Sequence, residues 1–460
     1  MTGLAGLPAT ELAGLVAIRE VSATEVLEDH LDRIAEMNPT INAVVALDEQ
    51  GARRAARRID NDGRGGPSGP LTGVPITVKE AFAVAGLATT AGRTERAGQI
   101  ARADAPAVRR LRDAGAVIVG KTNVPTQLAD LHCSNPLFGA TVNPLDVGRS
   151  CGGSSGGSAA ALAAGMTALE LGSDLSGSIR VPAAWCGVVA LRPSNGVISK
   201  RGHLPWALDG LLEPATSVVG PMARSVPDLQ LAHLALTGTD PGPRAAVEGM
   251  RLAFWSEAPG APIDNETATT MAGARRALEA AGAHVDDLVP PIDTDDALAL
   301  AWRLVDAEIA HGLSTAEWDD ARSSHSRPGV TVALRHHLAD QEARLGATAR
   351  CTETMAKYDA VLCPAVAVAA QALDSHHTVV DRPLDVDGTV YPGRFLAAWS
   401  LLTSGSQLPS VTLAAGIGTS SGMPIGAQVV GIPGGDRALL ATARAVEDVL
   451  SEAAAGTRSG

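Results

Sequence analysis

Short apolar segments alternate with segments of helical periodicity through the first half of the chain. Residues 1–60 are predicted to be helical, with a capping box that begins at Ser22. The apolar runs 71–78 and 116–120 predict buried strands, and residues 105–114 between them predict a helix. Because this alternation continues to about residue 235, the chain is expected to adopt an α/β fold whose sheet is covered by helices on both faces.

The pattern is less regular after residue 240 and resumes towards the C-terminus. It predicts strands over 250–255, 358–363, 409–414 and 425–431, helices over 265–281, 294–312, 333–357 and 435–451, and loops over 61–70 and 370–393. We therefore expect a single domain over residues 1–460. Within it we expect a helical N-terminal segment (1–70), a catalytic core (71–235), a variable lobe (240–390) and a return to the core sheet (391–452).

The composition disfavours several classes of partner and location for this chain. Hydrophobic residues make up 45% of the 460 residues but aromatic residues only 3%, so alanine, valine and leucine must fill the core. The net charge of −13 and the absence of a basic run disfavour binding to nucleic acid, because phosphate contacts need clustered lysine and arginine. Five cysteines without CxxC spacing fit reduced thiols in a cytoplasmic protein. No secretory signal and no run of about 18 apolar residues is found, so no membrane partner is expected.

Hydroxyl groups and glycines are concentrated in two segments, 150–158 and 173–180, on either side of an alanine-rich run. A flexible linker is disfavoured, because the alanine-rich run favours a helix and both segments adjoin apolar residues. The first segment contains the pattern G-x-S-x-G, in which Ser155 would be the nucleophile of a Ser-His-Asp hydrolase. Its histidine would be one of His311, His336 and His377.

Lys79 ends the apolar run that precedes it, so its ammonium group is a candidate for burial. Burial disfavours the charged form of lysine, and a neutral lysine can act as a general base. The alternative is an ordinary lysine that reaches solvent from the end of a strand.

Together these segments resemble the amidase signature family of serine hydrolases. The resemblance runs from about residue 8 to residue 450 and rests on the order and spacing of its motifs, which are residues 73–79, 133–139, 152–158, 173–182, 220–225 and 422–426. It implies a single large α/β domain with a central mixed, twisted sheet between helices.

The resemblance also implies catalytic roles. Ser178 matches the nucleophile of the family and Lys79 matches the base. Ser154 matches the serine that relays protons between them, and the family's peptide bond at Gly153–Ser154 is cis. The chemistry implied is an acyl-enzyme on Ser178.

Further positions follow from the same resemblance. The backbone N–H groups of residues 175–178, Leu175, Ser176, Gly177 and Ser178, match the oxyanion hole. Ser155, Asp174 and Arg180 match polar positions around the catalytic segments, and a purely structural Asp174–Arg180 ion pair is equally compatible. The substrate pocket would be lined by Leu128, Ala129, Asp130, Leu131 and Trp206, although a lone tryptophan is more often a core residue.

Three positions depart from the family pattern. Ser176 stands where glycine is common, Cys151 where proline is usual, and Glu80 where aspartate is frequent. None of these changes removes a catalytic group, but Ser176 puts the geometry of its loop in question.

The function implied is hydrolysis of the carbon–nitrogen bond of a small-molecule amide, anilide or carbamate, with esters as related substrates. No metal and no organic cofactor is implied, and a homodimer is left open. Two alternatives remain: the glutamine-hydrolysing component of a tRNA amidotransferase complex, and a Ser-His-Asp esterase that uses Ser155.

Overall fold

The strands are given by a computed structural model, which describes residues 3–61, 69–324, 328–374, 376–379 and 381–458. They are β1 (Val44–Leu47), β2 (Pro75–Lys79), β3 (Val117–Thr122), β4 (Ser134–Asn135), β5 (Gly139–Ala140), β6 (Val142–Asn143), β7 (Asp146–Ser150), β8 (Leu169–Asp174), β9 (Val189–Arg192), β10 (Val218–Ala223), β11 (Arg251–Phe254), β12 (His284–Asp287), β13 (Ala360–Pro364), β14 (Pro383–Val386), β15 (Thr389–Pro392), β16 (Ser410–Ile417) and β17 (Pro424–Val430).

The helices occur between these strands along the whole chain. They are α1 (Ala9–Ala17), α2 (Ala23–Ile41), α3 (Glu49–Asn61), α4 (Pro106–Asp113), α5 (Gly156–Ala163), α6 (Arg180–Cys186), α7 (Val226–Thr237), α8 (Asn265–Ala280), α9 (Thr294–Gly312), α10 (Thr315–Ser324), α11 (Leu334–Met355), α12 (Ala398–Gly405) and α13 (Asp436–Arg458). Short 3-10 turns cover Leu4–Gly6, Thr94–Arg96, Thr126–Leu128, Pro328–Thr331 and Gly393–Ala397.

Eleven of the strands form one mixed sheet in the order β1-β3-β2-β8-β10-β9-β16-β17-β13-β11-β12. Strand β2 lies between β3 and β8 and runs parallel to both. The carboxyl ends of β2 and β8 therefore lie at the same edge of the sheet, and Val78 is opposite Leu171. This pairing brings the residues that end the two strands together.

The predicted α/β fold with a mixed sheet between helices is confirmed. Several short structures were not predicted. They include strand β1 within residues 1–60, which pairs with β3, strand β12, which pairs with β11, and the hairpin β14–β15 within residues 370–393. Each of these strands has only four residues, which is too short for a clear alternation of apolar and polar positions. Helix α12 was also not predicted.

Several boundaries differ from the prediction. Strand β2 begins only at Pro75, because Leu71–Val74 forms a turn that the Val74 N–H closes by donating to the Leu71 carbonyl at 3.0 Å. Helix α13 continues to Arg458, past the predicted end at residue 451. Of the predicted 61–70 loop, residues 62–68 lie outside the described residues.

The segment 240–390 was expected to form a variable lobe. Its strands β11, β12 and β13 extend the same sheet beyond β17. We therefore propose that this segment is an extension of the one domain.

Across the described parts of the chain, every helix falls short of the length and apolar character that a membrane span needs.

Candidate active site

Lys79 ends β2, and its side chain is completely buried. Its Nζ is hydrogen-bonded to Ser154 Oγ at 2.7 Å and to Ser173 Oγ at 2.9 Å, and the Ser173 carbonyl lies at 3.4 Å. Ser173 belongs to β8, so the parallel pairing of β2 and β8 provides this contact.

The electrostatic surroundings favour the neutral form of Lys79. Burial, followed by the nearby charge of Lys200, lowers the pKa of Lys79 well below its ordinary value, and Asp174 opposes this with a smaller effect. A lysine without its proton can accept one from a bonded hydroxyl. The arrangement is therefore suited to drawing a proton from Ser154.

Ser154 lies just before helix α5, in the glycine-rich segment, and the Gly153–Ser154 peptide bond is cis. A side chain at Gly153 would have its Cβ only 2.7 Å from the Asp130 carbonyl oxygen. Glycine is therefore required at this position, because the segment passes directly against the backbone of residues 130–132.

The loop that carries Ser178 is held by the carboxylate of Asp174, which accepts from the N–H groups of Gly177 at 2.9 Å and Ile179 at 3.1 Å. Arg180 donates to the same carboxylate through Nη2 at 2.8 Å and Nε at 3.0 Å. Burial alone would raise the pKa of Asp174, but the charge and hydrogen bonds of Arg180 lower it well below its usual range.

The predicted oxyanion donors therefore differ in their availability. The N–H of Gly177 already donates to Asp174, so an oxyanion would compete with this carboxylate for it. Gly177 also has a φ of 117°, which favours glycine, and an added Cβ would lie 2.9 Å from Ser400 Cβ. Ser176 is not among the residues with positive φ, so serine can replace the family's glycine there without backbone strain.

A cavity of about 250 Å³ lies beside these groups. Ser154, Ser173, Leu175 and Ser178, from the two segments rich in hydroxyl groups and glycine, form one part of its lining. The remaining lining residues come from four other stretches of the chain: Gln127, Leu128, Ala129, Lys200, Pro205, Trp206, Ser217, Ile309, Gly312, Leu313, Glu317 and Asp320. Within the described residues, the structure thus brings Ser154, Ser178 and three predicted pocket residues, Leu128, Ala129 and Trp206, around one space.

Asp130 and Leu131 are not part of this lining among the described residues. Asp130 forms an ion pair with Arg382 at 2.8 Å and accepts from the N–H of Leu131 at 2.6 Å. Leu131 is buried in an apolar cluster with Trp185. The structure therefore gives these two residues contacts that support the 128–131 segment from outside the cavity.

Ser155 is buried and is hydrogen-bonded to residues of the 173–180 segment. Its N–H donates to the Ser178 carbonyl at 3.0 Å, and its hydroxyl donates to the Ser173 carbonyl at 3.4 Å. His311, His336 and His377 are all exposed, so the structure does not bring them to Ser155.

Sequence reasoning missed three side chains of this site: Ser173, Lys200 and His203. His203 Nε2 lies 2.9 Å from Ser173 Oγ, which is also bonded to Lys79. The sequence signal that could have pointed to Lys200 is the scarcity of lysine in this chain. The chain has four lysines, at positions 79, 121, 200 and 357, and the first three are buried.

Glu80 and Cys151, the two other positions that depart from the family pattern, are each explained by their local contacts. Glu80 accepts from the N–H groups of Thr90 and Ala91, both at 2.7 Å, and lies 3.5 Å from Lys121. It thereby holds Ala91, whose φ is 51°, in a left-handed conformation. The Cys151 thiol is buried and donates to the Thr141 carbonyl at 3.4 Å.

Comparisons with known proteins agree with one another. The Amidase family model matches residues 25–440. The acylamidase of Rhodococcus erythropolis is 31% identical over 479 residues, which cover 96% of this chain and 95% of that protein. The crystal structure of an amidase superposes with a TM-score of 0.82 at 28% identity and covers 96% of this chain and 99% of the other.

A second kind of relative has a higher identity over a shorter alignment. A component of the glutamyl-tRNA(Gln) amidotransferase of Acidothermus cellulolyticus is 40% identical over 249 residues, or 54% of this chain. The match covers 48% of that relative, so the chain spans about half of its length.

Proposed function

This chain belongs to the amidase signature family, and we propose that it hydrolyses the carbon–nitrogen bond of a small-molecule amide through an acyl-enzyme on Ser178. The observation that carries the proposal is the buried hydrogen bond between Lys79 Nζ and Ser154 Oγ, beside a cavity that Ser178 also lines.

In the proposed reaction, neutral Lys79 takes the proton of Ser154 while Ser154 takes the proton of Ser178. The Ser178 oxygen attacks the amide carbonyl and forms a tetrahedral intermediate. The protonated Lys79 then returns its proton through Ser154 to the amine as the carbon–nitrogen bond breaks. Water, activated by the same relay, releases the acid from Ser178.

Backbone N–H groups of the loop would stabilise the oxyanion of this intermediate. We assign this task mainly to Leu175, Ser176 and Ser178, because the N–H of Gly177 is engaged by Asp174. The ion pairs of Asp174 and Arg180 keep the loop rigid, so these donors need little reorganisation during the reaction.

The cavity supports a small and largely apolar substrate. Its volume of about 250 Å³ is below the roughly 300–1,000 Å³ of typical ligand clefts. Leu128, Trp206 and Leu313 supply apolar surface for an acyl chain or an aryl ring. Esters and carbamates pass through the same tetrahedral intermediate, so we include them as alternative substrates. We further propose a cytoplasmic location, which the five free and buried cysteines support.

A second candidate function is that of a component of a glutamyl-tRNA(Gln) amidotransferase, which the 40% identical relative favours. In that case the chain would hydrolyse glutamine only when it is bound to a partner protein. Hydrolysis of simple anilides by the purified chain alone would argue against this candidate.

Replacement of the proposed nucleophile tests the function. Ser178→Ala should abolish both the hydrolysis of a panel of anilides, primary amides, esters and aryl carbamates and covalent labelling by a fluorophosphonate, because the acyl-enzyme forms on this oxygen. The matched control is Ser155→Ala, which should still be labelled. Labelling that survives in Ser178→Ala but disappears in Ser155→Ala would transfer the role to Ser155.

A further inference from the structure

Three of the four lysines of this chain are buried, although lysine is almost never fully buried without a partner. Two of the three are accounted for. Lys79 is the proposed base, and Lys121 lies 3.5 Å from the carboxylate of Glu80. The third is Lys200, which has a relative exposure of only 6%.

Lys200 lines the cavity and forms no ion pair with any described residue. Its Nζ is hydrogen-bonded to the hydroxyl of Ser217 and lies 4.0 Å from the ring centre of Trp206. Both partners also line the cavity. A hydroxyl and an indole face stabilise an ammonium group, but neither neutralises it.

The carboxylates whose charges act on Lys200 all have other partners. Glu213 accepts from the backbone N–H of Lys200 at 2.9 Å and lies 3.4 Å from Arg201. Glu308 accepts from the N–H groups of Thr216 and Ser217. Asp174 is paired with Arg180 at 2.8 Å and with Arg192 at 3.6 Å. Glu317, which also lines the cavity, is paired with Arg93 at 2.9 Å. The ammonium of Lys200 thus has no direct ion pair with a described carboxylate, and only the charges of Glu308, Asp174 and Glu213 act on it from outside ion-pair distance.

We propose that Lys200 anchors a carboxylate of the substrate, so that the preferred substrates are small amides which carry a carboxylate on the acyl or the amine part. The proposal rests on the proposed function, because it places the substrate in the cavity that Ser154 and Ser178 line. A carboxylate beside Lys200 would accept from its ammonium and would also be within the reach of the Ser217 hydroxyl.

The titration of Lys200 is consistent with this role. Burial lowers its pKa to about 7, against the opposing charges of Glu308, Asp174 and Glu213, while Arg192 lowers it further. These charges offset burial only in part, so the ammonium is only marginally stable in the free enzyme, and an entering carboxylate would favour its charged form.

The test uses two pairs of anilides whose members match in shape. Succinyl anilide is compared with 4-methylpentanoyl anilide, in which an isopropyl group replaces the carboxylate on the acyl side. N-acetyl-4-aminobenzoate is compared with N-acetyl-4-isopropylaniline, in which the same change is made on the amine side. Release of the aromatic amine is measured for the wild type, Lys200→Met and Lys200→Arg, with Lys357→Met as the control for an exposed lysine.

The wild type should prefer the carboxylate member of at least one pair. Lys200→Met should lower kcat/KM for that member about 10- to 100-fold, mainly through KM, because one charged hydrogen bond is lost. Because the charge of Lys200 also lowers the pKa of Lys79, Lys200→Met should slow the isopropyl member as well, so the readout is the ratio of kcat/KM between the two members. This ratio should fall about 10-fold or more in Lys200→Met, and Lys200→Arg should retain the preference even if Lys200→Met fails to fold. An equal loss on both members, or a wild-type preference for both isopropyl compounds, would overturn the proposal.

Equilibrium binding separates this proposal from the proposed function. Titration calorimetry of the same pairs is carried out with Ser178→Ala, alone and combined with Lys200→Met or Lys200→Arg. Tighter binding of a carboxylate compound that depends on the charge at position 200 supports the anchor even if no variant turns over substrate. Binding that is indifferent to the carboxylate or to Lys200 would overturn it, whether or not the wild type is an amidase.

Discussion

The Ser173 hydroxyl connects two buried nitrogen bases. It lies 2.9 Å from Lys79 Nζ and 2.9 Å from His203 Nε2. Burial lowers the pKa of His203 well below its ordinary value, as it does for Lys79, so both groups favour their neutral forms. If Ser173 donates to His203 and accepts from Lys79, the lone pair of Lys79 is left to accept from Ser154. Ser173 is thus a positioning residue for the proposed base.

Ser173→Ala should lower kcat on an anilide by about 10- to 100-fold with little change in KM, because the base loses its orientation while the cavity keeps its shape. Ser173→Thr keeps the hydroxyl and should retain most of the activity. Steady-state kinetics from pH 6 to 10 would check this, because kcat/KM should rise with pH as Lys79 loses its proton, and the midpoint of this rise should shift only in Ser173→Ala. Equal losses in both variants would mean that Ser173 matters for packing alone.

At the scale of elements, helix α6 connects the loop of Ser178 to the far part of the sheet through its first residue, Arg180. The Nη1 atom of Arg180 donates to the Ser400 carbonyl at 2.7 Å, Thr403 Oγ1 at 2.6 Å and Gln428 Oε1 at 2.8 Å. One guanidinium thereby joins α6 to α12 and β17 while it also neutralises Asp174. A planar group with five donors is needed for this, and lysine cannot supply it.

Arg180→Met should lower the free energy of unfolding by about 3–5 kcal/mol, because it leaves several buried acceptors and part of the charge of Asp174 without a partner. Chemical denaturation would measure this change. The matched control is Arg244→Met, which breaks the exposed ion pair with Asp448 and should cost less than about 1 kcal/mol. Similar losses in the two variants would show that the buried network contributes little.

The elements that sequence could predict are those whose signal is local. The apolar run before Lys79 predicts a buried strand that ends at this residue, and the helix after Ser154 follows from its alanines. The contact between Lys79 and Ser173 depends on the pairing of β2 with β8, which no local pattern encodes. For the same reason, sequence could not show that Asp130 is paired with the distant Arg382 rather than part of the cavity lining.

The surroundings of Lys200 illustrate a second limit of prediction from the sequence. Residues 309–320 contribute part of the cavity, yet the sequence predicts only a helix over 294–312 in this region. Position 200 was informative in principle, because only four of the 37 lysine and arginine residues are lysines, so the chain draws little of its positive charge from lysine. The burial of Lys200, however, has no local signal like the apolar run before Lys79, and it becomes visible only in the folded structure.

At the scale of the whole molecule, the buried ionisable groups make the stability depend on pH. Burial raises the pKa of Glu170, on strand β8, to about 8, against hydrogen bonds from Thr77 and Thr122. Its carboxyl group is therefore protonated in the folded protein at neutral pH, whereas it ionises near 4.5 when exposed. Burial also lowers the pKa of Lys121 to about 8. The Lys121 contribution to stability therefore increases as the pH rises above about 8.

For Glu170 the folded state binds more protons than the unfolded state between about pH 4.5 and pH 8. Its contribution to stability is thus fully present below pH 4.5 and decreases by up to about 1.4 kcal/mol per pH unit as the pH rises to 8. Glu170→Gln, which is uncharged and of similar shape, removes this dependence. Relative to the wild type, its Tm should increase steadily from pH 5 to pH 8.

Thermal unfolding at a fixed scan rate in matched buffers would measure this difference. Subtraction of the two curves cancels the other titrating groups, such as Lys121 and the buried His30, because both proteins contain them. The control is Glu20→Gln at an exposed position, which should give a difference that is nearly constant with pH. A constant Tm difference for Glu170→Gln as well would mean that Glu170 is ionised in the folded protein, with its charge stabilised by the threonines around it.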